Sequence, residues 1–184
     1  MSAKHHITPI DSEIVMADDE FIVSKTDLKG NIIYANRTFM EMALLTEQQL
    51  LNKPHNIIRH PDMPQGVFKF MWQIIQQQQE FFGFVKNIAT DGRYYWVFAN
   101  VTPEYTPTGK LVGFLSVRRK PPTSAINVIS PIYKEMIRIE SLASSSHEAQ
   151  NQSIAYLQDQ LAQLNVDYQT LVINLFNETS WEEA

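Results

Sequence analysis

Two histidines, an arginine, an aspartate and three prolines fall within Pro54-His55-Asn56-Ile57-Ile58-Arg59-His60-Pro61-Asp62-Met63-Pro64, directly ahead of the apolar run Val67-Phe68-Lys69-Phe70-Met71-Trp72-Gln73-Ile74-Ile75. Asp62 and Pro64 read as the N-cap and first turn of a helix, since an aspartate oxygen satisfies free N–H groups and proline lacks one where none is needed. On that helix Val67, Phe68, Met71, Trp72 and Ile75 share one face. Arg59 and His60 then precede a helix N-terminus, where partial positive charge and free N–H groups favour an anion. A cationic lip beside an aromatic wall suits a flat ligand with a negatively charged tail, such as a dinucleotide. The same residues also admit a purely structural reading, with Asp62 a cap paired to Arg59 and with Met71 and Trp72 in the core. Spacing alone leaves both open.

The elements around this loop follow from periodicity and turn chemistry. Residues 21–26 and 32–36 read as strands joined at Lys29-Gly30-Asn31, a hairpin sequence. Residues 37–43 read as a short helix, and Thr46-Glu47-Gln48-Gln49 is a capping box opening another at 47–51. After the loop and the long helix, which ends in Gln76-Gln77-Gln78-Gln79, three strands are expected at 82–89, 94–104 and 111–119, with turns at Thr90-Asp91-Gly92-Arg93 and Thr106-Pro107-Thr108-Gly109. In Tyr94-Tyr95-Trp96-Val97-Phe98-Ala99-Asn100-Val101 both alternating sets are apolar, so both faces of that strand need cover. The candidates are residues 1–20 or a second subunit.

The loop and its flanks resemble the FAD-binding PAS domains of the bacterial aerotaxis receptor (Aer) family. The motif Asn-(two residues)-Arg-His-Pro-Asp-Met-Pro stands unbroken at Asn56 to Pro64. It is accompanied by Thr26-Asp27-Leu28, Tyr34-Ala35-Asn36, Val85-Lys86-Asn87, Asp91-Gly92 and Tyr95-Trp96-Val97-Phe98-Ala99-Asn100-Val101-Thr102-Pro103. The likeness covers about residues 10–135. It implies an α+β chain with the PAS fold: a five-stranded antiparallel sheet with helices on one face, here followed by a helical or coiled-coil extension. It also implies non-covalent FAD, with Asn36, Arg59, His60, Asp62, Trp72 and Asn87 as cofactor-binding residues. Arg59 and His60 would meet the pyrophosphate or ribose, Trp72 would stack, and Asn87 would bond the polar edge of the isoalloxazine ring. The chain departs from the family pattern at Phe81-Phe82-Gly83, where a tryptophan is usual before the glycine, and at Ile88, where arginine is common.

At 184 residues, 44% hydrophobic and 19% charged, the chain suffices for one domain with a core and an appendage. Residues 1–20 read as an N-terminal cap, 21–120 as the sensor domain, 121–146 as a connecting helix and hinge broken or restarted at Pro131, and 147–184 as an amphipathic helix. Ile154, Leu157, Leu161, Leu164, Tyr168, Leu171 and Leu175 step by three and four, a heptad seam that serves either a homodimer or a helix folded back on its own domain. The net charge of -5 and the absence of a basic stripe argue against nucleic acid as a partner. No apolar run reaches the roughly 20 residues of a membrane span, so a soluble, cytoplasmic protein is expected, unlike the membrane-anchored receptors it resembles. Its output would then pass in trans to a chemoreceptor or kinase.

The absence of cysteine removes iron–sulfur clusters, thiolate haem ligation and disulfides, and with them the flavin–cysteine adduct of light-sensing PAS relatives. No metal-ligand spacing and no nucleophile beside a base is found, so no catalytic residue and no enzyme activity is expected. The expected role is a redox or oxygen sensor for signal transduction of the aerotaxis kind. Two alternatives stand beside it: a haem-binding gas sensor using His55 or His60, and a cofactor-free dimerisation module.

Overall fold

A computed structural model describes residues 7–178, which group into two compact units. The first runs to His60 and resumes over Val85–Lys120; the second comprises Pro61–Phe84 and the chain from Pro121 onward. The sheet holds five antiparallel strands, β1 (Ile22–Asp27), β2 (Ile32–Ala35), β3 (Phe81–Ile88), β4 (Tyr94–Tyr105) and β5 (Leu111–Arg119), in the order β2-β1-β5-β4-β3. β3 begins in the second unit and ends in the first.

In the first unit β1 pairs along its whole length with β5, Ser24 opposite Ser116 and Ile22 opposite Arg118. The hairpin from β1 to β2 turns at Gly30, whose φ of 82° favours glycine. Asp27 fastens that turn by accepting from Lys29 N and Asn31 N. Helices α1 (Arg37–Ala43) and α2 (Glu47–Leu50) follow, the second opened by the anticipated capping box between Thr46 and Gln49. Ile22, Ile32, Phe39, Met42, Leu50, Ile58, Tyr95 and Val97 close together as one apolar cluster, which Met16 joins.

Residues 10–14 run beside the start of β4, with Ile10 N donating to Gly92 O, Tyr94 N to Ser12 O and Ile14 N to Tyr94 O. Gly92 is required there: its φ is 94°, and a Cβ would come within 2.4 Å of Thr8 O. Both alternating sets of β4 are buried, Tyr95, Val97 and Ala99 as well as Trp96 and Phe98, as its two-sided apolar pattern demands.

The second unit is helical apart from the first residues of β3: α3 (Gln65–Gln76), α4 (Thr123–Leu142), α5 (Ser146–Gln163) and α6 (Tyr168–Asn177). α4 passes through Pro131 without ending, contrary to the break expected there. The seam of residues 154–175 is divided between two helices: Asn165 takes φ 52°, and Asp167 caps α6 by accepting from Thr170 N. Ile154, Leu157, Leu161, Tyr168, Leu171 and Leu175 are buried within this chain, while Leu164, at the break, is 40% exposed. α5 packs on α3 and α4.

Candidate functional site

The Pro54–Pro64 loop forms a 3₁₀ turn over His55–Ile58, after which Arg59 forms an isolated antiparallel bridge with Asn87 on β3. Two of the anticipated site residues are thus neighbours through their backbones. Asn87 is 4% exposed and His60 3%. The His60 imidazole meets the Tyr94 ring edge-on at 6.1 Å, and Lys86 Nζ lies 4.2 Å from the centroid of that ring. Asn36 stands at the N-terminus of α1. Its Oδ1 accepts from Val23 N and Phe39 N, both at 3.0 Å, and its Nδ2 donates to Phe21 O at 2.7 Å. That side chain ties α1 to the start of β1, the local role a strand-ending asparagine before a helix can play.

Asp62 and Trp72 belong to the second unit. Asp62 is exposed and does not cap α3, whose N-cap position is Pro64 with no side-chain cap of its own. The orphan donors of the first turn are met from α4: Glu140 accepts from Gln65 N at 2.9 Å, from Gly66 N at 2.8 Å and from Ser153 Oγ at 2.7 Å. The anion favoured at that helix end is therefore the chain's own carboxylate. Trp72 is half-buried on α3.

One cluster escaped the reading of the loop. Arg118, on β5, points with Phe114 and Ser116 into the core and is only 5% exposed. Its Nη2 donates to Ser24 Oγ at 2.9 Å and to His55 Nε2 at 2.7 Å, and its guanidinium stands 5.4 Å from the Phe39 ring, on which His55 also stacks. Since guanidinium only donates, His55 Nε2 accepts and the imidazole is neutral. Burial, and then the charges of Arg118 and Arg59, hold the His55 pKa well below its ordinary value. Burial pushes Arg118 down to about 10 and raises the Tyr95 hydroxyl, which feels the guanidinium on the neighbouring strand. Arg118 Nη1, Tyr95 Oη and Ser116 Oγ have no hydrogen-bond partner among the described residues. The signal in the sequence was the alternation Phe114, Ser116, Arg118, which puts the arginine on the apolar face of its strand.

Among the described residues no group of three or more His, Asp or Glu side chains is placed to hold a metal, and no helix is long and apolar enough to cross a membrane.

Comparison with known proteins agrees with this architecture. The chain is 37% identical over 136 residues to the aerotaxis receptor of Escherichia coli (strain K12), which covers 74% of the chain and 26% of the receptor. It is 34% identical over 97 residues to the nitrogen fixation regulatory protein of Klebsiella pneumoniae, covering 53% of the chain and 20% of that protein. The chain thus spans between a fifth and about a quarter of these relatives' lengths. Among solved structures, the light state of the blue-light photoreceptor Aureochrome1 LOV superposes with a TM-score of 0.52 at 19% identity, over 67% of this chain and 94% of that one. Residues 20–120, more than half of the 184, match the PAS fold model, and the chain belongs to the PAS family.

Proposed function

We propose that this PAS chain is a sensor that holds FAD without a covalent bond and reports redox state or oxygen to a partner protein in trans, a chemoreceptor or a kinase, working as a homodimer. The observation that carries the reading is the bridge between Arg59 and Asn87. It sets the motif loop against β3, so that a phosphate-binding guanidinium and an amide able to read a ring edge leave one backbone junction. The 37% identity to the aerotaxis receptor supports the same role.

Arg118 Nη1, Tyr95 Oη and Ser116 Oγ, buried polar atoms of the first unit without a hydrogen-bond partner among the described residues, support a polar-edged ligand such as a flavin in its interior. FAD would supply a ring that accepts electrons and changes its proton and charge state. In this proposal Arg59 and His60 bind the diphosphate and ribose, and Asn87 follows the ring edge from β3. An amide held between a changing edge and a strand must rotate or strain that strand, which gives the two states different interactions with the chain. Asn36 contributes by fixing α1 against β1. Asp62 and Trp72 are candidates through the motif they occupy, Trp72 as a stacking partner. The chain has no cysteine, so a cysteine adduct has no part in its signalling.

The test is the absorption spectrum of the purified protein, followed by FAD reconstitution. Flavin bands are expected, and Arg59→Ala should weaken retention about tenfold or more, the effect of losing a charge-assisted phosphate contact. Trp72→Ala should do the same by removing the stack. A Soret band would establish the haem alternative, and a colourless protein that takes up no FAD would establish the cofactor-free one.

A further inference from the structure

Arg118, Tyr95 and Ser116 are 5%, 0% and 6% exposed, and each carries a polar atom with no partner among the described residues. They lie on the inward faces of two adjacent strands: Arg118 stands opposite Ala99 and Ser116 opposite Val101, while Tyr95 comes four positions before Ala99 on β4 and its hydroxyl feels the Arg118 guanidinium. Ser24, opposite Ser116 on β1, accepts from Arg118 through its Oγ, which also lies 3.3 Å from His55 Nε2. The cation has Ser24, neutral His55 and the Phe39 ring around it, and no carboxylate among the described residues pairs with it. A buried guanidinium without a counter-charge is among the most costly groups a core can hold, and orphaned hydroxyls beside it add to the cost. An orphaned guanidinium N–H and a phenol hydroxyl that feels the same cation are donors that an acceptor-rich, anion-forming ligand edge would satisfy.

We propose that Arg118 and Tyr95 receive the dione edge of a flavin-type ring inside the first unit, and that Arg118 biases the protein toward the ring's reduced, anionic form. The inference rests on the flavin reading above and adds to it two residues outside the motif. Two electrons and one proton from a reductant turn the neutral oxidised ring into a reduced ring bearing one negative charge. The buried cation attracts that charge and gains little from the neutral ring. The poise of the sensor would then be set by β5, the strand that leads through Lys120 and Pro121 into α4.

The experiment compares the full chain with Arg118→Gln, Arg118→Lys, Tyr95→Phe and Arg59→Gln, each reconstituted with FAD. The Kd of the oxidised cofactor is read by fluorescence, and the midpoint potential is read by titration with dithionite. Arg118→Gln should lower the preference for the reduced over the oxidised form at least about tenfold, as expected for removing an opposite charge from a nearby ionisable group. That is a fall of about 30 mV per tenfold for a two-electron couple. Arg118→Lys should stay near the parent potential, and Arg59→Gln should weaken both forms alike and leave the midpoint unchanged. Tyr95→Phe should bind FAD several-fold more weakly while the FAD-free protein melts no lower than the parent, because the hydroxyl it removes has no partner in the chain. This variant carries the test should Arg118→Gln fail to fold. A parent that binds FAD with Arg118→Gln at the parent midpoint, or with Tyr95→Phe at the parent affinity, overturns this inference alone. A parent that takes up no FAD overturns the functional reading and the inference together.

Discussion

Replacing Glu140 with alanine removes one carboxylate that accepts three hydrogen bonds, from Gln65 N, Gly66 N and Ser153 Oγ at 2.9, 2.8 and 2.7 Å. The loss can be sized by parts. A missing helix cap costs about 1 kcal/mol, and a carboxylate at the positive end of a helix contributes up to about 1 kcal/mol more. A hydroxyl bonded to a charged acceptor adds about 1.5 kcal/mol. Gln65 is exposed, so water replaces part of what its N–H loses, whereas Gly66 is buried and its N–H stays unmet. The net cost should be about 2–3 kcal/mol, which for a chain of this size lowers Tm by roughly 4–12 °C. Glu140→Gln keeps one acceptor oxygen and should cost about half as much. Thermal unfolding followed by circular dichroism measures the shift, and hydrogen exchange at the Gly66 amide locates it. A Tm within about 1 °C of the parent, with Gly66 still protected, would refute the idea that α4 caps α3.

The helical unit gives a second test, because Leu161 is 9% exposed and Leu164 is 40% exposed although both lie on the sequence seam. Leu161→Asp should destabilise that unit by several kcal/mol through a buried, unpaired charge, while Leu164→Asp should change stability by no more than about 0.5 kcal/mol. Equal effects on urea unfolding, or a loss of dimer mass from Leu164→Asp alone, would contradict the division into α5 and α6. A third test concerns pH. The folded protein holds the His55 pKa well below the ordinary 6.5, first through burial and then through Arg118 and Arg59, so the unfolded chain takes up the proton earlier as pH falls. Stability is therefore complete above pH 6.5 and declines below it, by at most about 1.4 kcal/mol per pH unit for one proton. Urea unfolding at pH 7.5 and 5.5 should show this decline in the parent and lose it in His55→Gln; equal slopes in the two proteins would refute the assignment.

Much of the first unit was legible in the chain because its determinants are local. The cap bond from Phe39 N to Asn36, the capping box of Thr46 and Gln49, and Gly30 in the hairpin act within a few residues of chain. The two-sided apolar run of β4 announced its own burial. The group that caps α3 was not legible. Asp62 is a good capping residue by type, yet the cap comes from Glu140, 74 residues beyond Gly66, and no local signal reports a partner that distant. The division at Asn165 was legible in principle: an asparagine suited to positive φ, followed by an aspartate that caps, lies inside the heptad steps. A continuous spacing of apolar residues masked it, because two helices can keep the same period across a turn.

Sequence alone determined the family motif from Asn56 to Pro64, the absence of cysteine chemistry and the order of strands and helices, since each depends on residue type and on neighbours along the chain. Tertiary structure decided which charges are buried and which groups answer them. Arg118 and Arg119 are adjacent and alike in type, yet the pleat of β5 turns one into the core beside His55 and Ser24 and leaves the other exposed. That difference exists only once β1 and β4 flank β5 and set its register, because burial is a property of what surrounds a side chain rather than of the side chain itself.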